Sequence, residues 1–213
     1  RRSEEILVTG LRKIAPKIPI ISEENAESHK LKDNREYFLV DPLDGTKEFL
    51  EFDGKGNFTV NIGLISNGEP IMGIIYAPVR AEMFFGISSF GSFIEEESAQ
   101  AQSIKVRTDR RGPTIAVASK KHSSYRTSAW LSKKSITKII SASSSIKFCS
   151  VAKGDADVYP RFAPTMEWDT AAGHAILLGA GGLVTLSDEK TILRYGKNNY
   201  RNGDFIAWGG VRV

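Results

Sequence analysis

Three acidic clusters hold the residues of this chain best suited to chemistry: Ser22-Glu23-Glu24, Asp41-Pro42-Leu43-Asp44-Gly45-Thr46 and Trp168-Asp169-Thr170-Ala171-Ala172-Gly173. None contains His or Cys. Oxygen donors alone are hard ligands that suit Mg²⁺ rather than zinc, and magnesium sites commonly pair carboxylates with a substrate phosphate. In the second cluster Pro42 is expected to stop the preceding strand, so that Asp41 and Asp44 turn toward one point with the Leu43 carbonyl between them. Gly45 and Thr46 then add backbone N–H donors at the start of a helix, a natural seat for phosphate. Asp169 is expected at the N-cap of another helix. Each cluster also has a plain structural explanation. Asp169 could simply cap its helix, worth about 1 kcal/mol; Asp44-Gly45 could be an ordinary turn and Glu23-Glu24 a wet loop. Taken together, the clusters point to metal-assisted hydrolysis of a phosphate ester.

The elements that must position these residues follow from periodicity. A helix is expected over 4–15, with Ile6, Leu7, Leu11 and Ile14 on one stripe and Pro16 as its stop. Strand-like runs lie at 18–21, 37–40, 58–65 and 71–76, the last two joined by the hairpin-type turn Ser66-Asn67-Gly68-Glu69. Glu23 and Asp41 therefore each come directly after a strand. The polar, basic stretch 107–113 marks the expected boundary between an N-terminal α+β subdomain, 1–108, and a C-terminal α/β subdomain, 109–213. In the second, strands at 114–118, 136–140, 155–159, 183–186 and 205–208 alternate with helices at 123–131, 144–152 and 170–179, which reads as a layered α/β sandwich.

Composition narrows the function classes. The 213 residues are 41% hydrophobic and 25% charged, as in globular chains. No apolar run approaches the roughly 18 residues a bilayer requires, so integral membrane contact and a retained secretory signal are not expected. The single cysteine, Cys149, makes no intramolecular disulfide and no thiolate cluster, and a cytoplasmic setting is the default. Cys149 and His174 read as core packing. The net charge of +4 is local: residues 105–147 hold eleven Lys and Arg against Asp109 alone. Such a run attracts nucleic acid, an anionic membrane face or a small polyanion. The absence of a reading module and of interleaved aromatics argues against nucleic acid. Lys147 and Arg161 are candidate grips on a second phosphate, with plain surface charge as the alternative.

The stretches 38–49, Phe-Leu-Val-Asp-Pro-Leu-Asp-Gly-Thr-Lys-Glu-Phe, and 168–175, Trp-Asp-Thr-Ala-Ala-Gly-His-Ala, resemble the two signature motifs of the lithium-sensitive, magnesium-dependent inositol monophosphatase superfamily. Phe58-Thr59-Val60-Asn61-Ile62, Tyr76-Ala77-Pro78-Val79, Lys147-Phe148-Cys149 and Tyr159-Pro160-Arg161-Phe162 are similar to the bacterial 3′(2′),5′-bisphosphate nucleotidases, which convert adenosine 3′,5′-bisphosphate to AMP and phosphate in sulfur metabolism. The resemblance implies the fold shared by inositol monophosphatase and fructose bisphosphatase. It implies two magnesium ions: one on Glu23, Asp41 and the Leu43 carbonyl, one on Asp41, Asp44 and Asp169, with Glu24 assisting through water or a third, weaker ion. One cation would acidify and orient a water and the other would neutralise charge on the departing oxygen. Thr46 would help deprotonate that water, with Glu23 and Asp44 counted beside it as catalytic. Gly45 and Thr46 would hold phosphate, and Ser144, Lys147, Arg161, Asp169 and His122 would line the nucleotide.

The partner so implied is a small-molecule bisphosphate nucleotide, the phosphosulfate analogue included. The assembly is a monomer or homodimer, with any membrane association peripheral at the inner face. An inositol monophosphatase or other sugar phosphatase of the superfamily, acting on inositol monophosphate or fructose 1,6-bisphosphate, is the rival expectation. The family also carries, ahead of the Glu-Glu pair, a segment of the type Val-Thr-x-Ala-Asp that nothing here matches. The expectation is a chain short of its N-terminal segment that binds magnesium yet hydrolyses poorly.

Overall fold

The computed structural model describes residues 2–31, 35–51, 57–97, 99–109, 112–119 and 124–210. The first expected helix is α1 (Arg2–Ile14), with Glu4 and Glu5 in its first turn and Arg12 and Lys13 in its last, the charge order that suits the helix dipole. Leu7 and Leu11 pack with Phe38 and Val40, whereas Ile6 and Ile14 of the expected stripe are exposed.

Among the described residues seven strands form one sheet in chain order. These are β1 (Ile20–Ser22) and β2 (Glu36–Asp44), then, after the short α2 (Thr46–Leu50), β3 (Thr59–Ser66), β4 (Glu69–Ala77), β5 (Glu82–Ile87), β6 (Gly91–Glu96) and β7 (Gln102–Ile104). β1 and β2 run parallel and the later neighbours antiparallel. The turn between β3 and β4 puts Asn67 and Gly68 at φ of 50° and 76°, the signs a type I′ hairpin needs. Periodicity alone leaves 82–104 without an element. There Phe84 is buried and its neighbour Phe85 half-buried on the opposite face, so two adjacent aromatics mask a strand alternation.

Pro42 does not end β2, contrary to expectation. The strand runs on to Asp44, and its register with β3 slips between Asp41, opposite Asn61, and Asp44, opposite Thr59. The extra residue forms a bulge, a place where proline forfeits no ladder bond, and it re-aims Asp44 relative to Asp41.

The remaining elements are β8 (Ile115–Ala118), α3 (Tyr125–Lys133), β9 (Lys138–Ser141), α4 (Ile146–Ala152), β10 (Val158–Arg161), β11 (Thr165–Met166), α5 (Ala171–Gly179), β12 (Leu183–Leu186), β13 (Arg201–Asn202) and β14 (Phe205–Trp208). Five of these strands make a second sheet in the order β12-β14-β10-β8-β9, and β11 pairs with β13. Helices α4 and α5 lie between the sheets: α5 rests on β3 to β6 and touches α4 and β12, while α4 packs on β8, β10 and β14. One core runs from Ile75 and Phe84 through Ala172, Ile176 and Phe148 to Val117 and Phe205. This is the sandwich of sheets and helices expected from the sequence.

Glycines bring α5 close to the first sheet. Gly63, Gly73 and Gly86 stand side by side across β3, β4 and β5. A Cβ on Gly73 would lie 2.1 Å from the Ala172 carbonyl oxygen, and one on Gly63 2.6 Å from Ala171 Cβ. The seating of α5 matters because the third acidic cluster leads directly into it.

Candidate functional site

Glu23 follows β1 by one residue. Parallel pairing of Ser22 with Val40 sets it beside Asp41, and the Glu23 N–H donates to the Val40 carbonyl at 3.1 Å. Asp169 arrives from the other half of the chain, at the end of a 3-10 turn, Glu167–Asp169. It is not the N-cap of α5, as expected; Thr170 holds that position, and the Asp169 carboxylate accepts from the Met166 N–H at 2.7 Å. The reason is the extra turn, which spends Asp169 on its own N-terminus before α5 begins. Glu167 beside it is fully buried and already satisfied by the Gly196 and Lys197 N–H groups, 2.9 Å each, and by Lys197 Nζ at 2.7 Å.

Ligand oxygens of Glu23, Asp41 and Asp169 lie within 4.8 Å of one another. Burial raises the pKa of each, above all Asp41, and the mutual charges of Asp44, Glu23 and Asp169 add to it. Asp169 is pushed up to about 7, first by burial and then by Asp44. Carboxylates forced together without a balancing cation make an oxygen-only cage, the donor set that fits a hard divalent ion. Asp44 lies outside this close triplet but near enough for its charge to reach all three. The Leu43 carbonyl accepts from Thr46 Oγ1 at 3.2 Å, and the Leu43 N–H donates to Asp41 Oδ1 at 2.9 Å. Glu24 is exposed.

Asp44 and Asp169 border a cavity of about 160 Å³ shared with Gly45, Ser144, Lys147 and Arg161. Gly45 opens α2 at φ 90°, where a Cβ would lie 2.3 Å from Ser144 Oγ. Ser144 donates to the Asp44 carbonyl at 3.1 Å from a left-handed backbone, φ 51°. Lys147 is buried, with Nζ 5.3 Å from the centre of the Tyr159 ring. Burial lowers its pKa to about 8, opposed by Asp44 and assisted by Arg161. Arg161 Nε is buried without a hydrogen-bond partner. His122 lies outside the described residues. A larger hollow, about 400 Å³ on the outer face of the first sheet between Met72, Phe85 and Phe93, has Glu95 as its one ionisable lining residue and offers nothing to a phosphate.

Sequence reasoning missed the residues that hold Asp44 from behind: Thr59, Asn61 and Ser145, all buried and all reaching its Oδ2. A signal for two of them was present, since Thr59 and Asn61 occupy the inward register of an otherwise apolar β3. Cys149 and His174 are buried as expected.

A model of the inositol monophosphatase family matches residues 1–210. The chain belongs to that family. It is accordingly a hydrolase of phosphate esters. It is 40% identical over 201 residues to the 3′(2′),5′-bisphosphate nucleotidase CysQ of Salmonella typhimurium, covering 94% of this chain and 79% of that one. The crystal structure of CysQ from Bacteroides thetaiotaomicron, a bacterial member of the family, superposes with a TM-score of 0.80 at 38% identity, over 94% of this chain and 80% of the other. The inositol monophosphatase of Anabaena follows the same fold, with a TM-score of 0.76 at 26% identity over 97% and 80% of the two chains. Among the described residues no helix is long and apolar enough to cross a membrane.

Proposed function

We propose that this chain removes the 3′-phosphate of adenosine 3′,5′-bisphosphate, leaving AMP and phosphate, in a magnesium-dependent hydrolysis. The 5′-phosphosulfate analogue, which carries the same 3′-phosphate, is a second substrate. The observation that carries this reading is the charge layout of one cavity, where Asp44 and Asp169 share space with the buried Lys147 and with Arg161. An acidic cage suffices for a monophosphate; two cations beside it add the grip that a second anionic group needs. The likeness to the Salmonella nucleotidase supports the same choice.

Glu23, Asp41, the Leu43 carbonyl, Asp44 and Asp169 would hold two magnesium ions, with Glu24 beside a third. Bound there, magnesium supplies neutralisation of phosphate charge and acidification of a water. The rest falls to the chain. Gly45 and Thr46 offer the N–H groups of the first turn of α2 to phosphate oxygens. Thr46 Oγ1 donates its own proton to the Leu43 carbonyl, which leaves its lone pairs to accept a hydrogen bond from an attacking water and orient it. The water oxygen joins phosphorus as the bond to the ribose 3′ oxygen breaks; one of the water's protons stays with the released phosphate and the other passes through solvent to the 3′ oxygen, which leaves as an alcohol. Lys147, still charged at pH 7, grips the far phosphate or sulfate together with Arg161 and Ser144, and the family resemblance adds His122 to this set.

The test is phosphate release, with Mg²⁺ present, from adenosine 3′,5′-bisphosphate, its phosphosulfate analogue, inositol 1-phosphate and fructose 1,6-bisphosphate. A charged contact to the second anion is worth about 1.5–3 kcal/mol, so the adenosine substrates should lead inositol 1-phosphate by about tenfold or more in kcat/KM. A preference for inositol 1-phosphate would overturn the assignment.

A further inference from the structure

Ser145 sits immediately before α4 and is only 2% exposed. Its Oγ lies 2.9 Å from Asp44 Oδ2, 3.0 Å from the Asp169 carbonyl oxygen and 2.8 Å from Asn61 Nδ2. Three segments thus meet on one hydroxyl: the end of β2 with β3 behind it, the turn into α4, and the turn into α5. The two other donors to Asp44 Oδ2, Thr59 Oγ1 and Asn61 Nδ2, are both at 3.4 Å, so Ser145 makes the one short contact of the three.

A hydroxyl has one proton and two lone pairs. Asn61 can only donate through Nδ2, so it occupies a lone pair of Ser145. The single Ser145 proton then has two acceptors in reach, the Asp44 carboxylate and the Asp169 carbonyl, and it serves one at a time. The charged acceptor makes the stronger bond. The neighbouring Ser144 grips the same residue by its backbone carbonyl. Asp44 is therefore fixed at both its carboxylate and its main chain by two consecutive residues a hundred positions away.

We propose that Ser145 is a positioning residue of the phosphatase site: through its hydroxyl, packed against the Asp169 carbonyl, it orients the Asp44 carboxylate, so that carboxylates from opposite halves of the chain keep the spacing a divalent cation requires. The inference rests on the metal-cage reading above and goes beyond it by assigning the outer residue that sets the cage. Loss of such an outer hydrogen bond typically weakens metal binding 10- to 100-fold.

The experiment uses Mn²⁺ as the probe, its free concentration read by electron paramagnetic resonance during titration of the whole chain. Ser145→Ala should bind Mn²⁺ at least about tenfold more weakly than the parent, and Ser145→Thr, which keeps the hydroxyl, should bind within about threefold of it. In an Asp44→Asn background the Ser145→Ala change should add less than about twofold, because its route of action is gone. Denaturant unfolding without metal checks that each variant is folded; if Ser145→Ala does not fold, weak Mn²⁺ binding by a folded Ser145→Thr overturns the proposal and parental binding sustains it. Equal Mn²⁺ affinity in Ser145→Ala and parent overturns it, as does an undiminished loss in the Asp44→Asn background. Failure of the parent itself to bind Mn²⁺ removes the cage reading instead, a different outcome from either.

Discussion

Gly73→Ala adds one methyl group to the middle of β4, outside the carboxylate site, and should damage both stability and chemistry. The new Cβ would sit 2.1 Å from the Ala172 carbonyl oxygen and 2.8 Å from its carbon, where real Cβ atoms stay at 3.0 Å or beyond. The obstacle is main chain, so no rotamer change relieves it, and the start of α5 must retreat by about 1 Å. Overpacking of this kind costs about 1–3 kcal/mol, against about 0.4–1 kcal/mol regained from a stiffer unfolded chain. A net loss of about 1–2 kcal/mol should appear as a lower urea midpoint with an unchanged slope. Asp169 lies three residues before Ala172, so the retreat carries it out of the triplet with Glu23 and Asp41. A 1 Å misplacement costs about 100-fold in rate, which should show in kcat/KM measured where the protein remains folded. Gly10→Ala is the control: it lies within α1 with nothing inside 4 Å, and it should stabilise by about 0.5–1 kcal/mol. Should Gly73→Ala leave the urea midpoint and kcat/KM at parental values, the argument that the glycine row seats α5, and α5 seats Asp169, is wrong.

Lys147→Met should raise KM for adenosine 3′,5′-bisphosphate about 10- to 100-fold while leaving a monophosphate substrate nearly unchanged, as steady-state kinetics on both would read. His174 is pulled from 6.5 down to about 3 by burial, so it stays neutral in the folded chain while the unfolded chain takes up a proton near 6.5. Its contribution is complete above pH 6.5 and is lost as pH falls from there toward 3, by about 2 kcal/mol at pH 5. His174→Gln should shrink the fall in urea midpoint between pH 7.5 and 5; an identical fall would exclude the residue. Asp169 behaves oppositely: raised from 3.8 to about 7, its contribution is complete below pH 3.8 and is lost as pH rises from there to about 7, above which the loss is constant. Mg²⁺ competes with that proton, so its affinity should be about 10- to 100-fold weaker at pH 5.5 than at pH 8, and the Mg²⁺-induced rise in Tm correspondingly smaller. An equal or larger rise at pH 5.5 would contradict it.

Local signals were strong where one face of an element is apolar or where a turn needs particular residues. Asn67-Gly68 announced its hairpin, and the helix leading from Thr170 was evident from its run of small apolar residues. They failed where two requirements meet at one residue. Pro42 reads as a strand stop because it lacks an N–H, yet at a bulge no N–H is demanded. Asp169 reads as the cap of α5, yet an intervening 3-10 turn claims it. Phe84 and Phe85 read as one apolar block, yet they face opposite sides of β5.

For the site, the types of the acidic residues pointed by themselves to a class of ligand: carboxylates brought together without His or Cys make a donor set that suits a hard cation. The sequence also carried the order in which they follow their strands. What it could not determine was which oxygens converge. Only the parallel pairing of β1 with β2 sets Glu23 beside Asp41, and only the close seating of α5 on a glycine row brings Asp169 to them. Thr59, Asn61 and Ser145 became visible as a group for the same reason. Hydrogen bonds between residues 15, 17 and 101 positions apart depend on tertiary packing, and no local pattern in the chain encodes them.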